Sequence, residues 1–95
     1  MSITEEARIV VATDADGGLR ISPSGDLCGA AVGSLTQTVA AGLRAGAPRV
    51  EIDLRSVTAC DAEALRVLEA SSRIARHLRI ELRVTGGAAF GISAT

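Results

Sequence analysis

Apolar and polar positions fall into six short segments with two different periods. Arg8–Ala12, "RIVVA", is a β-branched run, and Leu19–Ser24, "LRISPS", alternates as a half-buried strand does. Asp16-Gly17-Gly18 between them is hairpin chemistry, since glycine supplies the positive φ of a tight turn. Pro23 cannot donate to a ladder and is read as the edge or end of that strand. Residues 29–45 follow the helical period, with Ala31, Leu35, Val39 and Leu43 four apart and Val32 beside them. Gly33 and Gly42 weaken such a helix, so close packing on a sheet is the reason expected for them. Gly46 and Pro48 end it in the usual order.

Arg49–Leu54 alternates again, with Val50, Ile52 and Leu54 on one side and Glu51 and Asp53 on the other. A second helix is expected over about Ala62–His77. Its core stripe is read as Leu65, Leu68, Ala75 and Leu78, flanked by Val67 and Ile74. Glu69 and Arg73 stand at i,i+4 in the favourable order. Ile80–Thr85, "IELRVT", gives the last strand, and Gly86-Gly87 ends it. The order β-β-α-β-α-β predicts an α/β domain over residues 1–95. Its sheet would be mixed, mostly parallel and four-stranded, with the helices packed on it.

Composition narrows the function classes. The chain has 95 residues, 47% of them hydrophobic, enough for a modest core and too many for a disordered chain. All ten basic residues are arginine, the formal net charge is −1, and Phe90 is the sole aromatic. A nucleic-acid binder wants a basic stripe and stacking rings, so no nucleic-acid partner is expected. No apolar run approaches the ~20 residues of a membrane helix, and "MSITEEARIV" does not read as a secretory leader. One His and two isolated Cys do not make a zinc motif or a disulfide framework. No metal or cofactor is expected, and a reducing cytoplasm fits.

Catalytic readings are poor. His77 near a helix C-terminus suits an imidazolium on dipole grounds and reads as a surface residue. Asp61 and Glu63 at i,i+2 do not face each other and make no acid/base dyad. "GGAAFG" lacks the Lys-Ser/Thr of a phosphate loop. Cys28 and Cys60 each follow a strand and would approach each other at the ends of parallel neighbours. Two small inert residues is the reading favoured for them over a redox pair.

The stretch "VTACDAEALRVL", residues 57–68, carries the most information. Asp61 is a good N-cap for the second helix, and Glu63 falls in its first turn, where the dipole favours an acid. The strand followed by "VTACDAEALRVLEA" resembles the signature of STAS domains, the sulfate-transporter and anti-sigma-factor-antagonist family, with Asp61 and Leu65 matching its Asp and Leu. "PSGDLCGAAV" resembles the family's earlier Gly-Glu-Leu-Asp segment through Gly25, Asp26 and Leu27, with Cys28 in place of the final Asp. The resemblance covers roughly residues 8–88. It implies a non-enzymatic, protein-binding module that would sequester an anti-sigma factor of histidine-kinase-like fold. The surface implied is Asp26, Cys28, Thr58, Asp61, Ala62, Glu63 and Arg66.

Two departures matter. In family members regulated by phosphorylation, the residue after the Asp is the Ser or Thr that a partner kinase modifies. Here it is Ala62, so that position holds no phosphosite, and Glu63 adds a fixed carboxylate beside it. Family domains also continue into further helices past the last strand, whereas eight residues follow Gly87 here. Apolar surface left open by the shortened end would suit a partner or a second copy. The resemblance has a second implication, since small STAS proteins also serve as accessory subunits of bacterial lipid-trafficking transporters or of signalling assemblies. Nucleotide binding is a third, unsupported by the loops.

Overall fold

The structure, a computed structural model, describes residues 8–90; the readings of residues 1–7 and of the tail past Phe90 lie outside them. The chain runs β1 (Arg8–Thr13), β2 (Leu19–Leu27), α1 (Ala30–Arg44), β3 (Arg49–Asp53), β4 (Ser56–Cys60), α2 (Ala62–His77) and β5 (Glu81–Thr85), then a 3₁₀ turn at Gly87–Phe90. The mixed, mostly parallel sheet is as expected, but it has five strands rather than four. β1 pairs antiparallel with β2. β2 pairs parallel with β3 through Leu19–Ile21 and with β4 through Ser24–Leu27, and β3 pairs parallel with β5.

The extra strand comes from a break in the third one. β3 and β4 lie along the same side of β2, separated by Leu54 and Arg55. The Asp53 carboxylate holds this break. It accepts from the Arg55 backbone N–H at 3.0 Å and from the Arg55 guanidinium at 3.0 and 2.8 Å. Those bonds, the guanidinium's first, hold the Asp53 carboxyl down to about 2.

The break also corrects the reading of Pro23, which neither ends β2 nor sits on its rim. Pro23 is fully buried within β2, opposite Ile9 of β1. The Asp14 N–H donates to the Gly18 carbonyl at 2.7 Å, which makes that pair the hydrogen-bonded closure of the hairpin. Bonding alternates from there, so Ile9–Pro23 is a non-bonded pair and the missing N–H faces away from β1. On that other side β3 has ended and β4 begins. The proline occupies the one stretch of β2 where no donor is needed.

Both helices cover one face of the sheet. Ile21 and Pro23 of β2, Val50 and Ile52 of β3, Leu54 after it, and Leu82 and Val84 of β5 point into it and are buried. α1 meets them with Val32, Leu35, Val39 and Leu43, as its period predicted. Burying one such side chain contributes roughly 1.5–3 kcal/mol. Gly42 is the close approach expected of it, because a Cβ there would come within 2.8 Å of Leu19 Cδ1. Gly33 is not, since it faces open space.

α2 is rotated from the predicted stripe. Ala64, Leu68, Ser71 and Ala75 are buried, Leu65 and Val67 are half-buried, and Ile74 and Leu78 are about half exposed. Small residues at 64, 71 and 75 bring this helix close to the sheet; the predicted stripe holds Leu68 and Ala75, but a stripe chosen by side-chain size misses Ala64 and Ser71. Glu69 and Arg73 form no ion pair; Glu63 and Arg66, at i,i+3, form one at 3.7 Å. Phe90 packs against the core from the closing turn.

The opposite face is polar, as the alternation of β3 implied. Arg20 and Glu51 sit in register on neighbouring strands and approach to 3.6 Å. Arg49 reaches back to the hairpin, 2.6 Å from Asp16 and 3.6 Å from Asp14. The Gly18 N–H and then Arg49 hold the Asp16 carboxyl below the usual range.

Candidate protein-binding surface

The second half of β2 and β4 run parallel and end together, with Leu27 opposite Cys60. A helix starts just beyond each strand, so both helix starts share one end of the sheet. Open α/β sheets present their binding surfaces beyond the carboxyl ends of the strands.

The β2–β4 ladder is irregular where it approaches this end. Gly25 pairs with Val57 but Asp26 pairs with Ala59, so Thr58 is an extra residue in β4. Gly25 takes φ 85 beside the shift. The Thr58 hydroxyl donates to Asp26 Oδ1 at 2.7 Å, tying the bulge to the neighbouring strand. Bulges re-aim side chains at functional edges. Here Asp26, Thr58 and Ala59 are all exposed.

α2 begins at Asp61, whose extended backbone (φ −89, ψ 173) and carboxylate make the predicted N-cap. Asp61 Oδ1 accepts from the Ala64 N–H at 2.9 Å, and the Asp61 N–H donates to the Leu27 carbonyl at 3.3 Å. The cap therefore fixes the helix and also stitches it to β2. Ala62 and Glu63 are exposed on the first turn, and Arg66 lies one turn on beside Glu63.

The seven residues read from the sequence thus fall at one end of the sheet. Two contacts, Asp26–Thr58 and Leu27–Asp61, join its two motif segments. Ala59, Gly25 and Gly29 belong to the same end of the sheet and are not among the seven. Gly25 is marked in the sequence by its motif match, Ala59 becomes visible only through the bulge, and Gly29 carries a signal of its own. It precedes a strong helix that has no Ser, Thr, Asp or Asn at its cap.

Cys28 is exposed and Cys60 is half-buried, and both are free thiols. Cys60 packs against the core. Burial first, then the Asp61 charge, pushes its thiol up, which makes it a poor nucleophile. His77 sits at the far end of α2, about 20 Å along the helix from Glu63 at 1.5 Å per residue. Among the described residues no three His, Cys, Asp or Glu side chains gather as metal ligands. No described helix is long and apolar enough to cross a membrane. The surface offers a hydroxyl–carboxylate pair, a capped helix start and an exposed Glu–Arg pair.

The fold has close counterparts. The anti-sigma factor antagonist SpoIIAA of Bacillus, in its unphosphorylated form, superposes with a TM-score of 0.71 at 12% identity, over 81% of this chain and 71% of that one. An anti-sigma factor antagonist from Mycobacterium paratuberculosis gives 0.72 at 22% identity, over 96% and 78%. The STAS domain of an antisigma-factor antagonist from Rhodobacter sphaeroides gives 0.70 at 20% identity, over 86% and 88%. A search of curated proteins gave no match. Residues 10–90 match the STAS_2 family, described as "Mlab, STAS domain", and with that span covering most of the sequence the chain belongs to this family of STAS domains.

Proposed function

We propose that the chain is a non-enzymatic, protein-binding regulator of the anti-sigma-factor-antagonist kind, working without phosphorylation at the usual motif position. The observation that carries this reading is the start of α2: a stitched, capped helix turn that exposes Ala62 and Glu63 where the family resemblance expects a modifiable hydroxyl. Asp61 holds the loop, Ala62 and Glu63 present the contact surface, and Arg66 pairs with an acidic group of the partner once Glu63 releases it. Asp26, Cys28 and Thr58 form the adjoining wall. The likeness to antagonists supports the reading at the level of the fold, and SpoIIAA is known in both phosphorylated and unphosphorylated forms.

The test is capture of partners from the native cell by wild type, Ala62→Ser and Asp61→Ala. The expected partner is an anti-sigma factor of histidine-kinase-like fold. Wild type should hold it with or without ATP. Ala62→Ser should lose it when ATP lets the kinase act, and Asp61→Ala should capture less. Capture by Ala62→Ser that ignores ATP removes phosphorylation from the account.

A second reading, the other role that the STAS resemblance implies, is an accessory subunit of a lipid-trafficking transporter; membership of the STAS family is compatible with either. Capture of a transporter ATPase in place of the anti-sigma factor selects it.

A further inference from the structure

We infer that β1 is the self-association edge of this protein: two copies pair antiparallel through β1 about a two-fold axis at Val11, joining their sheets into one.

Three observations converge on this edge. First, β1 has one neighbouring strand, β2, and no described residue pairs with its other side. The bonding alternation set by Asp14–Gly18 turns the N–H and C=O groups of Ala12 and Val10 toward β2. Those of Ile9, Val11 and Thr13 therefore point outward, a row of backbone groups with no strand partner among the described residues.

Second, the edge lacks the usual protection. Between Arg8 and Asp14 it carries no charge, no proline and no bulge, and Val10 and Val11 are 62% and 49% exposed. β5, at the other side of the sheet, alternates Glu81 and Arg83 with its buried residues. On the helix side, an open, mainly apolar groove of about 450 Å³ lies between β1 and α1, lined by Val11, Leu19, Ala41 and Ala45 among others.

Third, the charges select a second copy and its register. Opposed residues in an antiparallel pair share a face, so a two-fold axis must relate residues of equal parity. Centring on Val11 sets Val11 against Val11 and Ile9 against Thr13, each outward-facing and able to exchange both bonds. Val10 then lies against Ala12 on the open face, and Arg8 lies against Asp14, twice by symmetry. Arg8 has no ion-pair partner among the described residues, while Asp14 already shares Arg49 on that face. A register centred on Val10 sets Arg8 against Ala12 and pairs no charges. The helix-side groove would close under the partner's Val11.

This edge is remote from α2, which packs by β5, whereas α1 packs by β1. The inference is thus independent of the docking surface at the α2 start, and either can fail alone.

Sedimentation equilibrium of the wild type, Val11→Pro and Arg8→Glu tests it. The wild type should be a dimer at high concentration. Val11→Pro removes an N–H that β2 does not use, so circular dichroism and melting should stay as in wild type while dimerisation weakens at least tenfold. Arg8→Glu should weaken it severalfold, more at low salt than at high. A bonded antiparallel pair sets its Cα atoms about 5.5 Å apart, within disulfide range. Val11→Cys in a Cys28→Ser background should therefore cross-link between chains on oxidation, and Ser22→Cys in the same background should not. A wild type that stays monomeric, a Val11→Pro that dimerises like wild type, or a Val11→Cys that does not cross-link overturns the inference.

Discussion

The two helices begin side by side at one end of the sheet, and they are specified in opposite ways. α2 starts at a side chain: Asp61 caps the Ala64 N–H and its own N–H is tied to Leu27. α1 starts at the absence of one. Gly29 sits at φ 57, ψ −127, a conformation that suits glycine, and makes no side-chain cap. α1 is held instead by burial, with Val32, Leu35, Val39 and Leu43 under it, while α2 buries mainly small residues. A helix anchored by its core can spare its cap, and a helix seated on alanines gains more from one.

The largest effect expected from this contrast is in the core of α1. Leu35 is fully buried at the centre of the stripe. Leu35→Ala should destabilise by about 2–5 kcal/mol in chemical denaturation. A cost below about 1 kcal/mol would mean that α1 is not held by its burial.

The next test is Gly29 itself. A Cβ there meets no atom within 4 Å, so the cost of Gly29→Ala is conformational alone. It should be about 1–3 kcal/mol for an L-residue forced into that region. D-alanine, introduced by chemical ligation, favours the mirror conformation and should fold at least as stably as wild type. Equal losses for both enantiomers would show that space, not φ, constrains the position.

These two starts were not equally legible. Asp61 with an acid two residues on is a local signature, and the cap it predicts is the one the helix has. The α1 stripe is legible because Leu35, Val39 and Leu43 keep the helical period, although Val32 and not Ala31 is its buried first member. What was missed depends on partners distant in sequence. Pro23 looked like a strand end because the break in its neighbour, at Leu54 and Arg55, lies thirty residues away. Ser71 was not read as core because its burial comes from the approach of α2 to the sheet, not from its own chemistry. The Thr58 bulge is a register shift between strands, and neither strand shows it alone. The motifs therefore name residues that share one end of the sheet, but not the shape they make there.

A smaller effect is expected at the α2 cap. Asp61→Ala should cost about 0.5–2 kcal/mol, by thermal or chemical unfolding, and Asp61→Asn should recover most of it, since the amide oxygen still accepts. The same pair of variants sharpens the comparison with α1. If Asp61→Ala cost more than Leu35→Ala, the cap and not the core would be the main anchor of this end of the fold.

The smallest effect is expected at Glu63 and Arg66, and its smallness is what makes it useful. Their 3.7 Å approach is an exposed i,i+3 pair, with side chains 66% and 75% accessible. Such pairs contribute about 0.2–0.5 kcal/mol and are screened by salt. Glu63→Ser and Arg66→Ala should accordingly leave the melting curve within about four degrees of wild type. A loss of partner capture in either would then report on the surface and not on the fold. At Gly29 no such separation is available, because any L-residue there disturbs the backbone before it can touch a partner. A destabilisation above about 1 kcal/mol in Glu63→Ser would place that carboxylate in the anchoring of α2 beside Asp61, and partner capture would no longer distinguish contact from folding there.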